Sequence, residues 1–145
     1  MDNLTINIDG GSRGNPGAAA FGVVFFENGH IVKRYGQYLG EKTNNEAEYE
    51  ALIFALKKAK ALWGKERIKK IPIEIRSDSE LLVRQLNGQY KIQEPKIQKL
   101  FLEAWNLKID FGGVEIVAVP REKNKEADRL VNEALDAHVL NKPLF

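Results

Sequence analysis

The first forty residues predict three β-strands joined by tight connections. Residues 4–8 alternate apolar and polar side chains, and the polar series ends at Asp9, beside a pair of glycines. Two further apolar runs, at 21–26 and 31–39, flank the pair Asn28-Gly29, which tolerates the positive φ angles of a hairpin turn. The pattern therefore predicts an antiparallel meander of three strands.

The rest of the chain alternates between helical and strand-like spacing. Apolar residues recur every three or four positions from 44 to about 63, after Pro95, and after Asn124, which we expect to cap the last helix. Period-two alternation returns at about 71–75 and 114–119. After the meander the predicted order is helix, strand, helix, helix, strand, helix.

This order predicts an α/β fold with a mixed five-stranded sheet. The antiparallel meander would form one side of the sheet, two parallel strands the other, and about four helices would flank it. A chain of 145 residues has the size of one domain, which we place at 1–138, followed by a C-terminal tail at 139–145. Trp63 and Trp105 fall on apolar helix faces and are expected in the core rather than in a base-stacking surface.

Composition restricts the chemistry more than charge does. The sequence has no cysteine, which excludes disulfides, thiolate metal sites and a cysteine nucleophile. Its formal net charge of +2 neither demands nor excludes nucleic acid as a partner, because local patches matter more than the total. The sequence shows neither a signal-peptide pattern nor an apolar run of membrane-spanning length. We therefore expect a cytoplasmic protein with no membrane contact.

Two aspartates follow predicted strands, and they would meet if the first and fourth strands are parallel neighbours. Asp9 ends the polar face of the first strand, and Asp78 follows the strand at 71–75. Parallel neighbours in an α/β sheet bring their carboxyl ends together, at the place where such sheets bind ligands. Turn formation at Asp9 and helix capping at Asp78 are equally supported by the local sequence.

Two helices each offer one further acid directed toward the sheet. Glu48 shares its helical face with Leu52 and is expected to point inward, whereas Glu46 lies on a charged face and is expected in solvent. Asp128 lies at the edge of the apolar stripe of the last helix, where an acid can also serve only to complement the helix dipole. The candidates for one shared site are therefore Asp9, Glu48, Asp78 and Asp128.

Four carboxylates in one pocket would repel one another and raise their own pKa values unless divalent cations lay between them. Ligation by oxygen alone favours Mg²⁺ or Mn²⁺. Two such ions can activate water and stabilise the leaving oxygen of a phosphoryl displacement. Hydrolysis of a phosphodiester is the chemistry that fits this set.

The sequence resembles type 1 ribonuclease H over residues 3–138. The resemblance depends on four segments in the family's order: Asp-Gly-Gly-Ser-Arg-Gly-Asn-Pro-Gly at 9–17, Thr-Asn-Asn-Glu-Ala-Glu at 43–48, Ser-Asp-Ser at 77–79, and a segment from Arg121 to Leu130 that includes Ala-Asp-Arg. It implies an endonuclease that cuts the RNA strand of RNA/DNA hybrids and leaves 5′-phosphate and 3′-hydroxyl ends. It also implies two Mg²⁺ ions, with Mn²⁺ as a substitute, held by Asp9, Glu48, Asp78 and Asp128.

The resemblance extends to residues that contact substrate. Short amides suit a minor groove in which 2′-hydroxyls donate and accept hydrogen bonds, although capping of a helix is an equally good interpretation of the paired asparagines. An RNA/DNA hybrid is the implied partner, double-stranded RNA is left open, and a monomer is the default expectation. The implied substrate-binding residues are Gly10, Gly11, Ser12, Asn15, Asn44 and Asn45.

The sequence departs from the family at two places. Many members carry a histidine in the loop before the last helix, where this chain has Arg121; because arginine holds a phosphate but does not transfer protons at neutral pH, we assign Arg121 to phosphate binding. The segment from Asn87 to Pro95 is also too short for the basic insertion that some members have. Hybrid affinity would then depend on other bases such as Arg84, Lys96 or Lys99, for which solvated surface charge is the simpler interpretation.

Two other classes of function remain as alternatives. A catalytically silent nucleic-acid-binding module could keep this fold, but phosphate binding alone has no use for four clustered acids. A nucleotide-binding phosphotransferase could use the glycine-rich segment at 11–17, but this segment matches neither the dinucleotide fingerprint nor a P-loop.

Overall fold

The computed structural model describes residues 3–140, which form five strands, five α-helices and one 3-10 turn. The elements follow the predicted order, but the first strand continues to Gly14 and does not end beside the glycine pair at 10–11, because it stays paired with the second strand. In chain order the elements are β1 (Leu4–Gly14), β2 (Gly17–Glu27), β3 (His30–Lys42), α1 (Asn44–Trp63), α2 (Lys65–Ile68), β4 (Ile73–Ser77), α3 (Glu80–Leu86), α4 (Pro95–Ile109), β5 (Val114–Ala118), the 3-10 turn (Arg121–Lys123) and α5 (Lys125–Leu140).

The five strands form one mixed sheet in the order β3-β2-β1-β4-β5. β1 pairs antiparallel with β2 and parallel with β4, and β4 pairs parallel with β5. Asn28 and Gly29 both have positive φ, at 52° and 84°, as the hairpin between β2 and β3 requires. The predicted fold class is confirmed, with the short α2 as a fifth helix.

The larger part of the core lies between one face of the sheet and α1. Leu4, Ile6 and Ile8 of β1 are almost fully buried there, with Tyr49 and Leu52 of α1. Strand alternation explains why every second residue of β1 belongs to this core.

The prediction for the two tryptophans is half right. Trp63 packs at the edge of the core, with its ring 5.5 Å from that of Phe25. Trp105 is 43% exposed, so its predicted core position is wrong. It lies on the outer side of α4, where its ring stacks on Phe101 and carries the Lys108 ammonium above it.

The opposite face of the sheet is covered by α5, which lies unusually close to β2. A Cβ added at Gly22 would be 2.2 Å from the backbone oxygen of Ala127, so the helix occupies the space that a side chain would need. Gly22 is also the residue that pairs with Asp9 across the β1–β2 ladder. The missing side chain therefore lets α5 approach the strand that carries Asp9.

The start of α1 corrects one prediction about an acid. Thr43 is the N-cap: its hydroxyl accepts from the Glu46 backbone N–H at 3.1 Å, and the Glu46 carboxylate accepts from the Thr43 backbone N–H at 3.0 Å. Glu46 is therefore buried in a capping box and not in solvent as predicted. Hydrogen bonding to the Thr43 backbone holds the pKa of Glu46 below its usual value.

The last helix begins after Asn124, as predicted, but the Asn124 side chain makes no capping hydrogen bond to the helix. The Asn124 side chain is fully buried and donates to the backbone carbonyl of Ile8 at 2.8 Å. α5 continues to Leu140, so Val139 and Leu140 are helical. The remainder of the predicted tail, 141–145, lies outside the described residues, and the division at 138 stays a prediction. Within residues 3–140 no helix is both long enough and apolar enough to cross a membrane.

Candidate active site

Asp9 and Asp78 are carried to the same edge of the sheet by two adjacent strands. β1 and β4 run parallel, and Ile8, the residue before Asp9, pairs with Ser77, the residue before Asp78. The two aspartates thus follow the same rung of the ladder. This is the arrangement that the sequence predicted from parallel strand ends.

Glu48 reaches the aspartates because β1 and α1 almost touch at Gly10. A Cβ on Gly10 would lie 2.4 Å from the Ala47 carbonyl carbon and 2.5 Å from the Glu48 nitrogen. Glycine is the residue that permits this contact of strand and helix backbones. The first two turns of α1 are thereby held beside β1 at Gly10, with Glu48 facing Asp9.

Asp128 is positioned through the other face. A hydrogen bond from the Asn124 side chain holds the start of α5 against Ile8, the residue before Asp9. In the first turn of the helix the Asp128 backbone N–H donates to the Asn124 carbonyl. Asp128 is partly buried. Four elements from distant parts of the chain therefore bring one acid each to the same place.

A single pocket of about 520 Å³ contains these acids. Of the predicted substrate-binding residues, Gly10, Gly11, Ser12 and Asn44 line it, whereas Asn15 and Asn45 do not. The complete lining is Asp9, Gly10, Gly11, Ser12, Arg13, Asn44, Glu48, Asp78, Ser79, Arg121, Asp128, Val131, Asn132 and Leu135.

Three of the carboxyl groups bind protons more tightly in the fold than in water. Burial, followed by the charges of Asp78, Asp128 and Glu48, raises the pKa of Asp9 from 3.8 to about 8. Burial raises the pKa of Glu48 from 4.5 to about 7, against a lowering by the hydrogen bond to Ser79. The pKa of Asp78 is also raised by burial, which outweighs the opposing effect of the Arg121 guanidinium. The pocket is thus strongly unfavourable for these negative charges by themselves.

The donor set fits hard divalent cations. The Oε2 atom of Glu48 is buried with no hydrogen-bond partner among the described residues, which leaves a carboxylate oxygen available as a ligand. All four acids offer only oxygen, the ligand type that Mg²⁺ and Mn²⁺ prefer. Among residues 3–140 no three acidic or histidine side chains are already arranged as a coordination sphere. The pocket brings the ligands together and does not itself fix a metal geometry.

Asn15, Asn44 and Ser12 form a hydrogen-bonded cluster beside the acids. The Oδ1 atom of Asn44 accepts from the Ser12 backbone N–H at 2.8 Å, and the Oδ1 atom of Asn15 accepts from the Asn44 backbone N–H at 3.0 Å. Both amide oxygens are therefore used within the protein. Asn15 does not line the pocket, and it contacts Asn44 through this hydrogen bond. Asn45 is partly buried, and its Oδ1 has no hydrogen-bond partner among the described residues.

Sequence reasoning missed several residues that line the pocket. Arg13 could have been found from strand alternation, because it shares a face of β1 with Asp9. Asn132 follows Asp128 by one helical turn, which also places it on the same face. Ser79 lines the pocket at the start of α3, where its hydroxyl accepts from the Leu82 N–H at 3.2 Å.

Comparison with known proteins identifies the family. The model of the reverse transcriptase-like family matches residues 7–134. Ribonuclease HI of Halobacterium salinarum is 44% identical over 129 residues, which are 88% of this chain and 62% of that protein. The bifunctional protein Rv2228c of Mycobacterium tuberculosis is 39% identical over 136 residues, which are 92% of this chain and 36% of the relative. The chain thus spans between about a third and two thirds of these relatives.

A solved structure agrees with both the fold and the sequence match. LC11-RNase H1, crystallised in complex with an RNA/DNA hybrid, superposes with a TM-score of 0.89 at 43% identity, over 94% of this chain and 99% of that one. The chain therefore belongs to the reverse transcriptase-like family and has the fold of its ribonuclease H1 relatives.

Proposed function

We propose that this protein is a metal-dependent endonuclease that hydrolyses the RNA strand of RNA/DNA hybrids. The observation that carries the proposal is the convergence of four carboxylates in one pocket, three of them with raised pKa values. A relative of 44% identity is a ribonuclease HI, and a relative with the same fold was crystallised with a hybrid. Both relatives support the same substrate class for this chain.

Asp9, Glu48, Asp78 and Asp128 would hold two Mg²⁺ ions, or Mn²⁺ in their place. The ions, when bound, would lower the pKa of an attacking water and stabilise the leaving oxygen, giving 5′-phosphate and 3′-hydroxyl ends. The protein contributes by holding the four carboxylates at the ends of rigid elements. Burial around Asp9 and Glu48 strengthens their attraction for a cation, because the local dielectric constant is low.

The cluster of Ser12, Asn15 and Asn44 supports recognition of the RNA strand. Because the Oδ1 atom of Asn44 accepts from Ser12, its Nδ2 group is the part that remains to donate into the pocket. A ribose 2′-hydroxyl can accept such a hydrogen bond, whereas a deoxyribose leaves the donor unpaired. Gly11 leaves its stretch of the pocket floor without a side chain, so that a strand can approach the backbone there, whereas Gly10 lets α1 lie against β1.

Arg121 lines the pocket, and its charge acts to lower the pKa of Asp78. An arginine at this position would bind the scissile or product phosphate and does not act as a proton carrier. The connection between α3 and α4 covers only residues 87–94. Without a basic insertion there, we expect hybrid binding that is weak and sensitive to salt.

Side-by-side cleavage of labelled RNA/DNA, RNA/RNA and DNA/DNA duplexes tests the proposal. We expect Mg²⁺-dependent cleavage of the hybrid RNA strand, loss of that cleavage in EDTA, and loss with Asp9→Asn or Asp128→Asn. Activity that survives EDTA or either substitution would overturn the metal mechanism. Cleavage of RNA/RNA would add a second substrate without altering the first. A monomeric state and a cytoplasmic location stay predictions.

A further inference from the structure

The pocket has a second end, remote from the four carboxylates. Along β1, Asp9, Gly11 and Arg13 alternate onto the same face, and Arg13 lies about 13 Å from Asp9 at the usual rise of a strand. Along α5, Asp136 lies two turns beyond Asp128, about 12 Å away. Strand and helix therefore carry two matched pairs, one at each end of the same groove.

The far pair is an ion pair of opposite charges. The Nη2 atom of Arg13 donates to Oδ1 of Asp136 at 2.7 Å, and the two side chains are 45% and 63% exposed. Arg13 lines the pocket together with the catalytic carboxylates, and Asp136 does not. The guanidinium is thus held at the mouth of the groove by a carboxylate that stands outside it.

The floor between the two ends is open. A Cβ added at Gly11 would meet only Asn44 Oδ1 at 3.8 Å and Val131 Cγ1 at 4.0 Å, which are ordinary contacts. Ser12 and Asn44 line this stretch with polar groups. A strand whose reacting phosphate lies at Asp9 can therefore continue over Gly11 toward Arg13, because Gly11 itself places no side chain in its way.

We propose that Arg13 binds a backbone phosphate of the RNA strand, a few nucleotides from the bond that is cut, and exchanges Asp136 for that phosphate. This inference depends on the proposed function, because it places the reacting phosphate of the RNA strand at the four carboxylates. Of the described residues that line the pocket, the cations are Arg13 and Arg121. Arg13 lies beyond Asp9 along β1, and Arg121 lies in the turn after β5, where its charge acts on Asp78, so the pocket offers a polyanion a guanidinium at two separate places.

The chemistry of the pair favours this exchange. Arginine presents five N–H donors in a planar fork that matches phosphate oxygens, and the bond to Asp136 uses only part of that fork. An ion pair as exposed as this one contributes little to stability, so its exchange for phosphate costs little. Asp136 thereby keeps the guanidinium directed along the groove before substrate arrives and competes with phosphate for it.

Binding of a fluorescent RNA/DNA hybrid in EDTA tests the role of Arg13 separately from hydrolysis. For Arg13→Gln we expect a loss of affinity of about tenfold at low salt, and a slope of log K against log salt that is smaller by about 0.9. Arg34→Gln is the matched control: Arg34 pairs with Glu126 in a similarly exposed ion pair outside the pocket. It should change the affinity by less than twofold.

A neutral phosphate identifies the contact. Methylphosphonate substitutions, placed one at a time along the RNA strand, should weaken binding to the unmodified protein at one position that no longer matters for Arg13→Gln. Asp136→Asn should strengthen binding, and this gain should disappear in the Arg13→Gln background.

Three results would decide against the inference. Equal losses for Arg13→Gln and Arg34→Gln would overturn it. So would the same methylphosphonate profile for the unmodified protein and Arg13→Gln, or a gain from Asp136→Asn that persists without Arg13. If the unmodified protein binds and cleaves hybrids in any of these cases, the proposed function still stands. If it does not bind hybrids, both proposals fail together.

Discussion

The side-chain amide of Asn124 donates a 2.8 Å hydrogen bond to the backbone carbonyl of Ile8, across 116 positions of the chain. The bond joins the residue before α5 to the residue before Asp9. It is fully buried at the Asn124 end. The spacing between the first and last acids of the site therefore depends on a residue that carries no charge.

Asn124→Ala should destabilise the protein by about 2 kcal/mol, because it leaves a buried carbonyl without this donor. It should also lower hydrolysis, since the start of α5 is then free to move away from β1. Urea denaturation measures the first effect, and Asn124→Asp, which keeps the shape but lacks the amide donor, should also lose stability. As a control for stability alone, Asn132→Ala, at an exposed position of α5 that lines the pocket, should change the free energy of unfolding by less than about 0.5 kcal/mol. An equal effect from both alanine variants would contradict this account.

Two adjacent glycines of β1 should respond oppositely to alanine. Gly10→Ala places its Cβ 2.4 Å from the Ala47 carbonyl carbon and must displace α1, so we expect a loss of about 3 kcal/mol. Gly11→Ala meets nothing closer than 3.8 Å and should be neutral or about 0.5 kcal/mol more stable. Thermal unfolding of the two variants compares them directly. Similar midpoints would show that α1 and β1 are not in close contact.

The two glutamates at the start of α1 separate catalytic from structural roles. Glu48→Gln should reduce metal-dependent cleavage by at least a hundredfold, because it removes a charged ligand from the pocket. Glu46→Gln should keep the activity and cost about 0.5 kcal/mol of stability, since an amide oxygen can still accept from Thr43 in the capping box. Initial cleavage rates and unfolding midpoints, measured on the same preparations, test both expectations. Loss of activity with Glu46→Gln would show that the two roles are assigned to the wrong residues.

Asp9 should destabilise the metal-free protein at neutral and alkaline pH. Its pKa is raised from 3.8 to about 8, so the folded state favours the protonated form, and stability is lost as the pH rises through this range. Asn does not ionise. In EDTA we therefore expect Asp9→Asn to be more stable than the unmodified protein by about 2 kcal/mol at pH 8.5, with the difference vanishing near pH 4.

Asp110, on the surface, serves as a control because its pKa is shifted in the opposite direction to that of Asp9. The pKa of Asp110 is lowered by its hydrogen bond to Lys60, so Asp110→Asn should not stabilise the protein at any of these pH values. Mg²⁺ should raise the unfolding temperature of the unmodified protein and leave that of Asp9→Asn unchanged. A stability difference for Asp9→Asn that is independent of pH would refute the electrostatic explanation.

The four acids could be found from the sequence because each lies at the end or on the inner face of a strongly periodic element. The alternation at 4–8 places Asp9 directly after the residues of β1 that pair with β4, and the stripe through Leu52 indicates which glutamate of α1 faces the sheet. The meeting of Asp9 and Asp78 also requires β1 and β4 to be parallel neighbours, which the structure shows and the sequence left as a condition. The pattern of apolar residues thus carries most of the information about the site.

The errors share a cause, which is that side-chain contacts override local pattern. The helical periodicity places Glu46 on a charged face, but the capping box folds it back against Thr43. Trp105 lies on an apolar stripe, yet the outer part of that stripe on α4 has no layer above it in the described structure. The pairing of Arg13 with Asp136 joins positions 123 apart, which no local spacing can reveal.

Gly22 gives the groove a property that its charged residues do not. Because α5 rests on a backbone with no side chain beneath it, the depth of the helix is set by direct van der Waals contact between main chains. That contact limits how closely α5 can approach the sheet. It therefore sets the distance from the sheet of both Asp128, in the first turn of the helix, and Asp136, near its end. A single methyl group at this position would move the helix away from the sheet and widen the groove at both ends. None of the carboxylates or arginines of the groove would be replaced by this change.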